Sequence, residues 1–224
     1  MGNFMITRSL VLCRYNENIE WIKKFEQSNL KIFLYDKGEE NNFNQSNLYA
    51  TTLDNVGREA HAYFYHIVKN YDVLTDQVYF AQAYPFPHIP NYIEDLHSQL
   101  QKDTIDGGFK WVGPKIHNDL FDNLDYGSDR ILMPNGHPNP YKRSIKNIYE
   151  NIFDEKCPNI DYYYVSGCFF VEKNNILSHP IEKYQKLLEI VSYTEQKKYQ
   201  GFWKSNCIEA HFLERMYEVI FKNV

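Results

Sequence analysis

At 224 residues, with 43% hydrophobic and 17% aromatic side chains, the chain is long enough to bury one sizeable core, and a single domain is expected. Lys and Arg number 24 against 29 Asp and Glu, a net charge of −5, so no overall field recruits a polyanion and nucleic acid is not expected as a main partner. No apolar run approaches the roughly 20 residues that cross a bilayer, and Met1 to Arg8 lacks the apolar centre of a signal peptide, so a cytoplasmic location is expected.

Ser9 to Arg14 is a short apolar run ending in Tyr15-Asn16-Glu17-Asn18, which predicts a buried strand feeding a turn. Ile19, Trp21, Ile22 and Phe25 then give a short helix. Lys31 to Tyr35 is a second strand closed by the turn Asp36-Lys37-Gly38, Glu39 to Asn47 reads as a solvated loop, and Tyr49 to Leu53 forms a third strand. After it, Ala60, Tyr63, Phe64, Ile67, Val68 and Tyr71 recur with helical period, so one helix face is buried. Val78 to Ala81 is a fourth strand running into Gln82-Ala83-Tyr84-Pro85-Phe86-Pro87-His88. Ile89 to Leu100 is helical and Phe109 to Val112 a short strand. The Gly- and Pro-rich residues 113 to 142 show little periodicity. Ser144 to Phe153 is a helix, Tyr162 to Val171 a strand interrupted by Ser166-Gly167, Ile181 to Tyr193 a helix, and Ser205 to Lys222 the last helix. Strands alternating with helices in this way predict an α/β fold with a mostly parallel sheet. Cys13, Cys157, Cys168 and Cys207 are scattered with no C-x-x-C pair, so buried free thiols are expected.

In such a sheet the four strand ends bring Asn16 and Glu17, Asp36 and Lys37, Asn55 and Arg58, and Gln82 and His88 to one edge, where open α/β sheets bind ligands. Asn55 is a good N-cap, Gly57 lets a ligand approach the first helical turn, and Arg58 adds a forked cation where free N–H groups and the helix dipole favour phosphate. A nucleotide laid across this edge finds carboxylates or amides for its base and ribose and Arg58 for its phosphates. Neither G-x-G-x-x-G nor the P-loop lysine motif is present, which argues against dinucleotide oxidoreductases and phosphate-cradling NTPases.

On a helical wheel of the last helix, Ile208, Phe212, Met216, Val219 and Ile220 define the buried arc and Glu209 falls inside it. Glu209 is either a salt-bridged core-edge carboxylate or a general base projecting into a cleft. His211, Glu214 and Glu218 lie off the arc as solvent residues, and Arg215 borders it with its stem able to pack and its head able to reach a phosphate. Gln196 to Lys204 mixes cations and aromatics around Gly201, either as an exposed connector or as a loop closing over a sugar diphosphate.

The ordered set Arg14-Tyr15-Asn16-Glu17, Tyr35-Asp36-Lys37-Gly38, Asn55 to Tyr63, Phe80 to His88, Gly167 to Val171 and Leu213-Glu214-Arg215-Met216-Tyr217 resembles a family of largely uncharacterised glycosyltransferases of GT-A type. The resemblance spans residues 9 to 222, and the family is itself similar to the glycosyltransferase domain of a large algal virus. It implies a GT-A-like, Rossmann-like sheet flanked by helices, with a nucleotide-binding part over about 9–112 and an acceptor-side part over about 113–224. It further implies a nucleoside diphosphate sugar donor of UDP type, a glycan or glycoprotein acceptor, a role in surface-glycan synthesis, and the host cytoplasm as location if the source is viral. The strand-end residues, Arg14 among them, are then donor-binding, and the late Glu-Arg motif falls on Glu214 and Arg215, so Glu214 stands beside Glu209 as a candidate base of an inverting transfer. Gln82-Ala83-Tyr84 occupies the place of a metal-binding Asp-x-Asp without a carboxylate, so Mn²⁺ or Mg²⁺ would be held by the diphosphate, by His88 or by a distant carboxylate, or be dispensable. Ala81 and Ala83-Tyr84 depart from the family pattern of Leu and Gly with a small polar residue. The alternatives are a non-catalytic nucleotide- or carbohydrate-binding module and a sugar nucleotidyltransferase.

Overall fold

The computed structural model describes residues 5–39, 43–117, 145–158, 162–164, 166–192 and 208–222. The expected acceptor-side residues 118–142 and the Gln196–Lys204 loop lie outside the described residues, as does Cys207. Within them, β1 (Arg8–Arg14) is apolar on both faces because it lies inside a six-stranded sheet of order β3-β2-β1-β4-β8-β5. β2 (Leu30–Asp36) and β4 (Gln77–Gln82) flank β1 in parallel, and β3 (Leu48–Thr52) pairs parallel to β2 as an exposed edge strand.

The other half of the sheet departs from the parallel expectation. β8 (Phe169–Glu172) runs antiparallel to β4, and β5 (Phe109–Trp111) antiparallel to β8, so the sheet is mixed. The expected interrupted strand from Tyr162 to Val171 is two separate strands: β7 (Tyr162–Tyr164) pairs with β6 (Lys115–His117) in a separate ribbon. The separation falls at Ser166 and Gly167, whose positive φ of 132° and 59° cannot continue a strand.

Helices cover both faces. On one, α1 (Arg58–Asn70), α3 (Ile145–Phe153), α5 (Ile181–Ser192) and α6 (Ile208–Phe221) enclose a core with Val11, Val78, Phe80, Phe169 and Val171. On the other, a 3₁₀ helix (Glu20–Phe25) and α2 (Tyr92–Leu100) cover Leu10, Leu12, Ile32, Leu34, Tyr79 and Phe170. A single turn, α4 (Lys173–Ile176), follows β8. The period-two alternation of β1 and β4 therefore feeds two cores, which makes the architecture a three-layer α/β domain. The α1 face is aromatic: Phe169 stacks on Phe80 at 4.8 Å and lies 4.7 Å from Tyr217 of α6. Each ring buried this way contributes about 1.5–3 kcal/mol.

Two local expectations are corrected. The N-cap of α1 is Gly57 rather than Asn55, and no side chain caps it. The Glu39–Asn47 segment is tied down where described: Gln45 is buried with its amide on Ile22 O, and the Asn47 amide bridges Phe25 O and Leu30 O.

Candidate functional site

β1 leads to β2 through the 3₁₀ helix on one face, whereas β3 leads to β4 through α1 on the other. The connections thus part between β1 and β4, the topological switch point beside which open α/β sheets place ligands. The turn into α1 borders this point: the Cys13 thiol at the end of β1 lies 3.9 Å from Arg58 O. Lys37 Nζ donates to the carbonyls of Val56 and Arg58, holding the turn from the β2 side. Gly57 and Arg58 both have left-handed φ, 62° and 49°, a strained state for Arg58 that the surrounding contacts must enforce. A Cβ at Gly57 would lie 2.5 Å from Val191 O, so the missing side chain makes room for the end of α5.

From this turn Arg58 reaches a buried polar group shared by α1 and α6. Its Nε lies 3.4 Å from Glu59 Oε2, and its Nη1 donates to His211 Nε2 at 3.2 Å. Because a guanidinium only donates, that His211 nitrogen is the unprotonated one. Arg215 Nη1 donates to His211 O at 2.6 Å. Glu214 Oε1 accepts from Ser166 N at 3.2 Å, and Glu59 lies against Gly167, where a Cβ would stand 3.1 Å from Glu59 Oε1. Glu59 and Glu214 are both buried, and Glu59 Oε1 finds no hydrogen-bond partner among the described residues.

Burial pushes the Glu214 carboxyl above its ordinary value and Glu59 pushes the same way, outweighing Arg58 and Arg215. His211 is drawn down to about 4, by burial first and by Arg58 second, so it is neutral at pH 7. Arg58 is held charged chiefly by Glu59. Burial raises the Cys13 and Cys168 thiols to about 12, which keeps them from serving as thiolate nucleophiles. A carboxyl with raised proton affinity, a fixed guanidinium and a neutral imidazole form a set able to move a proton and stabilise an anion.

The chain belongs to a family described as a protein of unknown function (DUF3431). The family model matches residues 10–224. No curated protein and no solved structure matches the chain.

Among the residues expected to act in this DUF3431 chain, Arg58, Glu214 and Arg215 come together in the buried group. The reading of Glu214 as a solvent residue is overturned, since it is buried together with Leu213, Met216, Tyr217 and Phe221, and His211 is half-buried against Arg58 rather than solvent-facing. Glu209 is buried as the wheel requires, in the first turn of α6. Arg14 and Asp36, expected to bind donor, are committed to each other, with Arg14 Nη1 at 2.8 and 2.7 Å from the two carboxylate oxygens and Nε on Glu17 O. Glu17 caps its own turn through Tyr15 N and Asn16 N, and Asn16 Oδ1 accepts from Glu39 N. Lys37 serves the α1 turn as described, while Gln82 is half-buried at the end of β4 opposite Cys13. Asn55 is half-buried ahead of Gly57.

His88 is exposed in a turn, and among the described residues no group of three or more His, Cys, Asp or Glu side chains could hold a metal ion. A cleft of about 240 Å³ between the 3₁₀ helix and the start of β3, lined by Ile19, Ile22, Lys23, Phe43, Gln45 and Leu48, contains none of the buried acid-base group. Sequence reasoning missed Glu59 and Ser166. Glu59 was within reach, because it precedes the buried Tyr63 by four residues and so faces inward on α1, the argument that singled out Glu209 on α6.

Proposed function

We propose that this chain transfers a sugar from a nucleoside diphosphate sugar to a hydroxyl acceptor. The observation that carries the reading is the Arg58–Glu59–Glu214 group beside the β1/β4 switch point, with the Glu214 carboxyl raised by burial and by Glu59. In this reading the donor diphosphate lies at the start of α1 against Arg58. As the acceptor oxygen forms its bond to the anomeric carbon, the bond from that carbon to the diphosphate breaks. Glu214 takes the acceptor proton, and Arg58 stabilises the charge of the leaving diphosphate. Such a single displacement inverts the anomeric centre. Glu214 is favoured over Glu209 as the base by its partners: Arg58, Glu59 and Arg215 all act on it. Its raised proton affinity moves it towards the pH at which a carboxylate base is most effective.

The resemblance to GT-A glycosyltransferases supports the donor class, and the absence of a carboxylate at Gln82 and Tyr84 supports a smaller dependence on divalent metal than Asp-x-Asp enzymes show. Thermal shift against a panel of nucleoside diphosphates and nucleotide sugars, followed by donor turnover with EDTA or Mn²⁺, tests the reading. The expected result is stabilisation by one nucleoside diphosphate and its sugar conjugates, with turnover that partly survives EDTA. Stabilisation without turnover of any stabilising sugar conjugate would identify a binding module. No response across the panel would overturn the reading.

A further inference from the structure

We infer that Glu59 is a positioning residue for Glu214: a second buried carboxylate, fixed against the same two-residue turn, that couples the proton on Glu214 to the charge of Arg58. The catalytic meaning of this coupling rests on the transferase reading; the coupling itself does not. Glu214 accepts the N–H of Ser166 at 3.2 Å, and Glu59 packs on the next residue, Gly167. The two carboxyls therefore lie against neighbouring residues of one strained turn, with Ser166 and Gly167 at φ 132° and 59°. Arg58 is the counter-charge they share, since its Nε faces Glu59 Oε2 and its charge also acts on Glu214.

Glu59 Oε1 has no hydrogen-bond partner among the described residues, and Arg58 compensates the carboxylate from its other oxygen, with Nε 3.4 Å from Oε2. The groups acting on Glu214 are Arg58 and Glu59 from α1, Arg215 from its own helix and the Ser166 N–H, while Cys168 and Tyr217 lie within the field of both carboxyls. Two consequences follow in sign. Removing the negative charge of Glu59 deletes a repulsion, which lowers the Glu214 midpoint. Removing the positive charge of Arg58 raises that midpoint.

Carboxyl NMR titration of the full chain labelled at glutamate Cδ, with Glu214→Gln to assign the resonance, reads this without any substrate. Glu59→Gln should lower the Glu214 midpoint by about one pH unit or more, and Glu59→Asp, which keeps the charge, should leave it raised. Arg58→Gln should shift it upward. These opposite signs keep the inference testable if Glu59→Gln does not fold. An unmoved midpoint in folded Glu59→Gln would overturn it, as would equal shifts in Glu59→Asp and Glu59→Gln, or a downward shift in Arg58→Gln. If the titrations behave as expected but no nucleotide sugar is turned over, the transferase reading fails and the coupling stands. If turnover is found while the midpoint does not move, the reverse holds.

Discussion

The strand ends on the two sides of β1 carry similar charged residues and use them in opposite ways. On the β2 side, Arg14 spends its guanidinium on both Asp36 oxygens and on Glu17 O, and Asp36 also accepts from Gly38 N. Lys37 is buried with its ammonium on two backbone carbonyls. On the α1–α6 side, Arg58 stands between two carboxyls and a neutral histidine, Glu59 has an oxygen without a hydrogen-bond partner among the described residues, and Glu214 has raised proton affinity. The first arrangement locks strands together. The second places a carboxyl of raised proton affinity beside a guanidinium and a neutral imidazole, which identifies it as the side to probe for chemistry.

The largest expected effect is on the α1–α6 side. Glu214→Gln keeps shape and the Ser166 contact but removes the proton acceptor, so donor turnover should fall roughly 10²–10⁴-fold with little change in donor affinity. Thermal stability should hold or rise, because the amide has no charge to desolvate. The same kinetics on Glu209→Gln, with near-normal turnover expected, distinguish the two carboxylates.

Arg14→Met probes the other side and should act on folding. It leaves Asp36 buried without its cation, and urea denaturation should show a loss of about 3–5 kcal/mol. Combining it with Asp36→Asn should recover part of that loss, because no uncompensated charge then remains.

Arg58→Ala should also cost stability, because it leaves buried Glu59 without the guanidinium beside it. Its main effect is expected on anion binding: calorimetry with a nucleoside diphosphate should lose about 1.5–3 kcal/mol, the range for a hydrogen bond to a charged group. Unchanged affinity would remove the distinction between the two arginines.

A last, pH-dependent effect concerns His66, buried beside β2 with its Nδ1 2.9 Å from the Tyr35 hydroxyl. Burial lowers its pKa from 6.5 to about 3, so the unfolded chain takes up this proton first. The resulting stability is present above pH 6.5 and is lost as pH falls towards 3, by up to about 1.4 kcal/mol per pH unit. His66→Gln should flatten that part of the stability curve, measured by urea midpoints between pH 7 and 4.

The sequence by itself determined the β-α-β order, the apolar centre of β1, the buried stripe of α1 from Ala60 to Ile67, and the inward position of Glu209. These are properties of period and local composition, which act over a few residues. Arg58 was also legible, because its place at a strand-to-helix turn marks it without knowledge of partners. Tertiary structure decided the rest. Arg14, Asp36 and Lys37 resemble ligand-binding residues in sequence, and only the pairing of β1 with β2 and the arrival of the α1 turn turn them inward onto the fold. His211 and Glu214 lie on the polar side of a wheel that assumes one buried face, whereas α6 is covered by α1 on that side as well. The break at Ser166-Gly167 was visible as a pause in a strand. That it sends β7 and β8 to different sheets and holds Glu59 and Glu214 against neighbouring residues depends on chain segments far apart in sequence, whose packing no local pattern encodes.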